Sequence, residues 1–154
     1  FKLANEYKVK VILDLSAATV IRDCKEVLTK MLNAGVGVLV ANEEEGEEFA
    51  QSNDETLMLA KLANFAEIAV LKLGSKGVKV KSGNETSVVK SSPVKALDTT
   101  GAGDSWMAGF IAAILKGRTL SESAEFGNKV GAEMVQVLGA GLSAAKWTEL
   151  KKEL

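Results

Sequence analysis

The chain has 154 residues, of which 47% are hydrophobic and 25% are charged, as is typical of a globular domain with a sizeable core. Its 19 basic and 20 acidic side chains give a net charge of −1, which argues against nucleic acid or an anionic membrane as a partner. It has no histidine and one cysteine, which excludes Ser-His-Asp and Cys-His nucleophiles and an internal disulfide, and disfavours zinc.

The first half of the chain alternates apolar runs with stretches of helical periodicity. The continuous apolar run at 36–41 predicts a strand that is covered on both faces. The expected elements in chain order are a strand at 9–15, a helix at about 23–33, the strand at 36–41, an acidic helix, a helix capped by Asp54 and a strand at 67–74.

The second half opens with a hairpin pattern, because apolar and polar residues alternate on both sides of 82–85. A helix is expected over about 103–116, and Thr119 with Glu122 forms a capping box for a second helix over 120–138. The glycines at 139–141 end that helix, and a short amphipathic helix closes the chain. The order of elements predicts an α/β domain whose sheet is mainly parallel and includes an antiparallel hairpin.

A run of small residues with one acid, Gly101, Ala102, Gly103 and Asp104, falls where a strand turns into a helix. We expect the N–H groups of Ala102, Gly103 and Asp104 to lie unpaired at the positive end of the helix, where they would bind an anion. Asp104 beside them would accept the proton of a hydroxyl group that attacks a phosphoryl group. Spacing alone favours the alternative of a flexible turn followed by an acid that caps the helix.

The usual nucleotide-binding fingerprints are missing. The chain has no Gly-x-x-x-x-Gly-Lys-Ser/Thr, and Trp106 stands where Gly-x-Gly-x-x-Gly would need its last glycine. A standard P-loop enzyme and a dinucleotide reductase are therefore disfavoured. No secretory signal is visible and the apolar runs are too short to cross a bilayer, so we expect a cytoplasmic protein without a membrane partner.

The segment DTTGAGDSWMAGF (98–110) resembles the C-terminal signature of the ribokinase-like (PfkB-type) family of sugar and nucleoside kinases. Trp106 replaces the usual phenylalanine of that signature, and Ala108 stands where glycine is common. ANEEEGEEFA (41–50) resembles the family's Asn-x-x-Glu element, and VLKLGSKGV (70–78) resembles the strand and turn that contact the nucleotide.

The similarity covers essentially the whole chain, but only the C-terminal half of a family member. It implies a three-layer α/β/α, Rossmann-like fold with a mainly parallel sheet and an antiparallel hairpin. Residues 1–154 would then be the nucleotide-binding and catalytic portion of a larger kinase domain whose N-terminal substrate and lid portion is absent. The opening segment, which reads like a helix running into a buried strand, agrees with the expectation of a fragment.

The resemblance implies that Asp104 is the catalytic base and that Gly101, Ala102 and Gly103 form the anion hole. It also implies that Asn42 and Glu45 organise Mg²⁺ and phosphate, through water because Mg²⁺ keeps much of its hydration shell. Without the resemblance, NEEEGEE reads as a solvated acidic helix start, where carboxylates favour the helix dipole.

The nucleotide site implied by the resemblance has further members. Lys72, where the family often has threonine, would line the ATP phosphate and ribose region together with Gly74 and Gly77, although these two glycines equally suit a plain turn. Asn128 and Gly139 would lie on the adenine side, although glycines at 139–141 also suit a helix C-cap. Two more positions, Asp98 and Thr100, match residues that bind a monovalent cation such as K⁺ in some members.

The function so implied is transfer of the γ-phosphoryl group of magnesium-bound ATP to a hydroxyl of a sugar or nucleoside. ILDLSA (12–17) together with NEEE favours the adenosine-kinase-like branch. The expected partners are the small-molecule substrate and the missing N-terminal half, and a homodimer is left open. The alternatives are a nucleotide-binding module without turnover and a domain that only associates with other proteins.

Overall fold

The computed structural model of the chain describes all residues from 1 to 154, and these divide into two compact units. The first unit is Phe1–Gly74 with Lys79–Ser87, and the second is Ser75–Val78 with Val88–Leu154. The elements up to the third strand are α1 (Lys2–Glu6), β1 (Ile12–Asp14), α2 (Ala18–Asp23), α3 (Lys25–Asn33), β2 (Val36–Asn42), α4 (Glu43–Ala50), α5 (Glu55–Ala63) and β3 (Ala66–Lys72). A 3₁₀ turn (Gly74–Lys76), β4 (Val78–Ser82), β5 (Glu85–Val89), α6 (Ala102–Leu115), α7 (Leu120–Met134) and α8 (Ala144–Lys151) follow.

The five strands form one sheet in the order β1-β2-β3-β4-β5. The pairs β1–β2 and β2–β3 are parallel, with Val38 opposite Ile12 on one side and Ile68 on the other. A two-residue turn at 83–84 joins β4 to β5, and such a short connection joins only antiparallel neighbours. The predicted mainly parallel sheet and its hairpin are thus confirmed. Three strand residues, Val78, Val88 and Val89, belong to the second unit.

The second strand is the buried centre of the parallel part of the sheet. Leu39, Val40 and Ala41 are fully buried, as its continuous apolar run predicted. The core around it draws on both strands and helices, and its buried members are Leu15, Ile21, Leu32, Val36, Leu39, Ala41, Met58, Leu59, Leu62, Ala69, Leu71 and Leu73. Burial of these side chains is the main stabilising contribution in the first unit.

One predicted element of the first unit was wrong in extent, and one helix was not predicted. The first strand was expected over 9–15 but covers only Ile12–Asp14, because Gly37 N and Val38 N both donate to the Val11 carbonyl and interrupt the regular ladder there. In addition, Ala18–Asp23 forms a separate helix that was not predicted from the sequence. The cap predicted at Asp54 is confirmed, since its Oδ1 accepts from the N–H groups of Thr56 and Leu57.

The second unit is built around the packing of α6 on α7. Phe110, Ala113, Val130 and Met134 are buried in it, and the capping box predicted at Thr119 is present. The seventh helix ends at Met134, so the predicted extension to 138 was wrong. The Val135 carbonyl accepts instead from the backbone N–H groups at positions 97 and 98, which ends the helical bonding pattern. No helix in the structure combines the length and the apolar character needed to traverse a bilayer.

Candidate active site

Three polar side chains stand at the carboxyl ends of three adjacent parallel strands in the first unit. Asp14 is the last residue of β1, Asn42 of β2 and Lys72 of β3. Asn42 and Lys72 are register partners, and Lys72 Nζ donates to Asp14 Oδ2 at 2.9 Å, so this ion pair spans the intervening strand. Parallel α/β sheets bind their ligands beyond the carboxyl ends of the strands, which makes this edge part of the candidate site.

Glu45 completes this group, which we call the strand-end cluster (Asp14, Asn42, Glu45 and Lys72). Asn42 is the N-cap of α4, and its Oδ1 accepts from Glu45 N at 2.9 Å. In return Glu45 accepts from Asn42 N and Asn42 Nδ2, each at 2.8 Å. The interpretation of this segment as an acidic helix start is therefore confirmed, although the Glu45 side chain is buried rather than solvated.

The electrostatic surroundings of Glu45 are set by burial and by four neighbours, of which Glu44 contributes least by raising the pKa. Burial raises the pKa of its carboxyl group, and the Asn42 backbone N–H opposes that rise. The negative charge of Asp14 raises the pKa of Glu45 further, and the positive charge of Lys72 lowers it. With both acids ionised, the cluster carries two negative charges and one positive charge, a net charge of −1.

The strand-end cluster suits a hydrated divalent cation better than a bare one. Nowhere does the structure bring together three or more His, Cys, Asp or Glu side chains in an arrangement that could hold a metal ion. Both Glu45 oxygens and Asn42 Oδ1 already accept hydrogen bonds. Mg²⁺ keeps several of its waters in such surroundings, so the donor set fits an ion that is contacted through water and held chiefly by a ligand's own phosphates.

The glycine run lies in the second unit and begins α6. Gly101 is the N-cap with φ 73°, a left-handed conformation that glycine adopts without strain. The amides of Gly101, Gly103 and Asp104 have no acceptor within the protein, so donors remain free at the helix start. Ala102 N donates to the Thr99 carbonyl at 3.1 Å, so the prediction that its amide would be unpaired was wrong, because the preceding turn closes on it.

The Asp104 carboxylate is exposed in the first turn of α6 and makes no hydrogen bond or ion pair. The start of α6 has no side-chain cap, so the alternative that Asp104 caps its own helix was wrong. Because this carboxylate makes no hydrogen bond within the protein and lies next to free backbone N–H donors, it remains available to a ligand. Trp106 and Ser105, which follow it, are buried.

Asp98 ties the glycine run to the loop around Gly139. Its Oδ1 accepts from Thr100 N at 2.9 Å and Thr100 Oγ1 at 2.7 Å, and its Oδ2 accepts from Gly139 N at 2.8 Å. These donors lower the pKa of Asp98 to about 2, with the Thr100 hydroxyl as the largest cause. A Cβ atom on Gly101 would lie 2.9 Å from Ala140 Cβ, so the two loops also pack closely. The monovalent-cation role of Asp98 and Thr100 stays a prediction.

The remaining predicted nucleotide contacts lie in different surroundings. Asn128 is buried, where its Oδ1 accepts from Trp106 Nε1 at 2.8 Å and its Nδ2 donates to the Val89 and Lys90 carbonyls. Gly74 starts the 3₁₀ turn in the first unit, and Gly77 lies in the second unit against the Val89 carbonyl. Their nucleotide roles stay predictions.

Gly139 does not cap the preceding helix, whose C-cap is Val135, so the helix C-cap alternative for 139–141 was wrong. Gly139 has φ 81° and uses its N–H on Asp98, as described above. The N–H of Gly139 is thus bound by the segment that precedes α6. Its predicted role on the adenine side is compatible with this placement and stays a prediction.

Sequence reasoning missed Asp14, which the structure adds to the candidate site. Its ion pair with Lys72 joins residues 58 positions apart, which no local spacing reveals. A signal was nevertheless present, because an acid followed a β-branched run in VKVILDL, near the expected end of a strand. In a parallel sheet that is where functional side chains collect.

A parallel sheet with polar residues at its strand ends, and a separate glycine-led helix start with free donors, are features of an α/β protein of the ribokinase-like fold class. The chain belongs to the pfkB family of carbohydrate kinases, whose family model matches residues 1–147. The family resemblance is thereby confirmed, and the solved structure described next confirms the fold that it implied.

Individual relatives agree with this assignment. The chain is 43% identical over 74 residues to a protein of Archaeoglobus fulgidus named an uncharacterized sugar kinase, covering 48% of this chain and 30% of that protein. It is 34% identical over 112 residues to an ATP-dependent 6-phosphofructokinase of Thermoanaerobacterium thermosaccharolyticum, covering 72% of this chain and 35% of that protein. The solved structure of adenosine kinase from Sinorhizobium meliloti matches 99% of this chain and 47% of its own, with a TM-score of 0.91 at 24% identity. The chain thus spans about a third to a half of these relatives.

Proposed function

We propose that this chain is the nucleotide-binding and catalytic portion of an ATP-dependent kinase that phosphorylates a hydroxyl group of a sugar or nucleoside. The observation that carries the proposal is the exposed Asp104 carboxylate, free of local bonds, beside the unpaired amides of Gly103 and Asp104. Membership of the pfkB family supports a kinase, and the ATP-dependent relative supports ATP as the donor. Residues 1–154 would act together with a preceding portion that supplies substrate contacts.

In the proposed reaction Asp104 accepts the proton of the acceptor hydroxyl as that oxygen attacks the γ-phosphorus of ATP. The new O–P bond forms while the bond to the β,γ-bridging oxygen breaks, and ADP leaves. The free amides of Gly101, Gly103 and Asp104 at the start of α6 stabilise charge on the transferred group at the positive end of the helix. Mg²⁺ would neutralise the phosphate oxygens, and Asn42 and Glu45 would hold it through water.

The test is Asp104→Asn in the full-length protein. We expect turnover to fall by about 10²-fold or more, the usual contribution of a general base, while the ATP dissociation constant stays within about twofold. Asp23→Asn, which removes the same charge from an exposed acid at the end of α2, is the matched control and should leave turnover unchanged. Normal turnover in Asp104→Asn would rule out the base assignment.

The other function to consider is a nucleotide-binding module without turnover. The free amides at the α6 start would then bind the phosphates of ATP, and phosphoryl transfer to any hydroxyl would be absent. Equilibrium ATP binding together with a transfer assay against a panel of sugars and nucleosides separates the two. Binding without transfer by the full-length protein favours the module, and absence of both leaves neither standing.

A further inference from the structure

The ion pair between Asp14 and Lys72 takes no part in the function proposed above. Lys72 has 14% of its side chain exposed and Asp14 31%, and the ammonium group donates to Asp14 Oδ2 at 2.9 Å. The positive charge of Lys72 is thus directed to a neighbouring carboxylate in the sheet. A lysine held in this way is a poor ligand for phosphate, because the anion would have to displace a carboxylate and approach a cluster of net negative charge.

We infer that the Asp14–Lys72 pair sets the affinity of the strand-end cluster for the divalent cation that accompanies the nucleotide. Asp14 strengthens the binding of the cation by adding a negative charge, and Lys72 weakens it by cancelling one. Both are positioning residues, because they act through the field around Asn42 and Glu45 and not as metal ligands. The inference rests on the proposed function, since it takes the cation to be the one bound with ATP.

The geometry favours this role over simple cross-linking of strands. Both charges lie at the same edge of the sheet as Asn42, and both act on the Glu45 carboxyl group, in opposite directions. The cluster has a net charge of −1 with both residues present, −2 without Lys72 and 0 without Asp14. A unit charge several ångströms from a divalent ion in water-rich surroundings changes binding by about fivefold.

The experiment measures Mn²⁺ affinity in the full-length protein with ADP bound, following free Mn²⁺ by electron paramagnetic resonance. We expect Asp14→Asn to weaken Mn²⁺ binding about fivefold and Lys72→Met to tighten it about fivefold. Both variants break the same ion pair. A merely structural role would therefore move both affinities in the same direction, and that result would overturn the inference.

A double variant makes the test sharper. Asp14→Asn with Lys72→Met restores the wild-type charge of the cluster, so Mn²⁺ affinity should return to within about twofold of wild type. Affinity well below both single variants would also overturn the inference. This arm remains decisive if one single variant folds poorly, since the double variant removes both members of the ion pair and leaves neither charge without its partner. Far-UV circular dichroism of each variant establishes that it is folded.

The chain contains a matched control at the other end of the same strands. Lys10, just before β1, forms an ion pair with Glu67 of β3, and both side chains are 64% exposed. Glu67→Gln and Lys10→Met change the protein's charge by the same amounts as Asp14→Asn and Lys72→Met. Each control should leave Mn²⁺ affinity within about twofold of wild type, because these charges lie far from the strand-end cluster. Raising the salt concentration should shrink the Asp14 and Lys72 effects, because mobile ions screen the field.

The proposed function and the role of the ion pair are contradicted by different results. If the wild-type protein binds ADP with Mn²⁺, but Asp14→Asn and Lys72→Met shift the metal affinity together or not at all, the ion pair has no such role and the proposed function stands. If the wild-type protein binds neither ADP nor Mn²⁺ with ADP, the proposed function fails and the inference fails with it.

Discussion

Trp106 donates its indole N–H to Asn128 Oδ1 at 2.8 Å, and this buried hydrogen bond joins α6 to α7. Asn128 also donates Nδ2 to the carbonyls of Val89 and Lys90, so the same amide holds the end of β5 and the residue after it. The Trp106 ring stacks on Phe110 with 4.9 Å between ring centroids. The tryptophan that departs from the family signature is therefore a fixed part of the second unit's core.

Trp106→Phe tests the contribution of this bond. We expect the free energy of unfolding to fall by about 1–3 kcal/mol, because the Asn128 carbonyl would remain buried without a donor. Urea unfolding followed by circular dichroism measures the change. Trp147→Phe, in α8, removes an indole that makes no hydrogen bond and should cost less. Equal losses in the two variants would show that ring size, and not the hydrogen bond, is what matters.

The close approach of α7 to Trp106 gives a second prediction. A Cβ on Gly127 would lie 2.8 Å from Trp106 Cε2, whereas one on Gly131 would lie 3.5 Å from Trp106 Cβ. Gly127→Ala should therefore lower the free energy of unfolding by about 1–3 kcal/mol through overpacking. Gly131→Ala, on the same helix, should be neutral or raise stability by up to about 1 kcal/mol through helix propensity. Thermal and urea unfolding of the pair decide the matter, and equal effects would contradict the packing argument.

Acid should loosen the second unit through Asp98. Because the pKa of Asp98 is lowered to about 2 in the folded state, its stabilising effect is present above the unfolded value of about 3.9. That effect is lost as the pH falls from about 4 to 2. The difference in unfolding free energy between wild type and Asp98→Asn should therefore shrink over this range, as measured by urea unfolding at each pH. A difference independent of pH would refute this account of the three hydrogen bonds.

The capping box of α7 offers a further test on the surface. Thr119 Oγ1 accepts from Glu122 N at 3.2 Å, and Glu122 Oε2 accepts from Thr119 N at 2.8 Å. Thr119→Ala should lower the free energy of unfolding by about 1 kcal/mol, and Thr119→Ser should retain most of it because the hydroxyl is kept. Chemical denaturation distinguishes these outcomes. A serine variant as unstable as the alanine variant would rule out the cap as the cause.

Local signals predicted those elements whose causes are local. The continuous apolar run at 36–41, the cap at Asp54 and the Thr119 box all correspond to elements in the structure, since each depends on residues that are close in sequence. The end of α7 was misplaced because the Val135 carbonyl accepts from the distant backbone N–H groups at 97 and 98 and not from a further helical turn. The first strand was overestimated because its pairing with Gly37 and Val38 is irregular.

The candidate site was likewise predictable only where its residues lie close together in the sequence. The Asn42–Glu45 and Gly101–Asp104 elements are short patterns. The residues themselves indicated the second, and the resemblance drew attention to the first. The pairing of Lys72 with Asp14 depends on the strand order, and the burial of Asn128 depends on how α6 and α7 pack, so neither follows from spacing. The hydrogen bond from Ala102 N to the Thr99 carbonyl depends on the geometry of the preceding turn, which a run of small residues does not determine.

Asp98 has a mechanical consequence. Its carboxylate accepts one hydrogen bond from the backbone just ahead of α6 and another from the peptide group of Gly139, 41 residues further along the chain. Displacing either segment alone would tear at least one of these contacts. The two segments must therefore shift in concert, and a molecule that displaces one of them will displace the other as well.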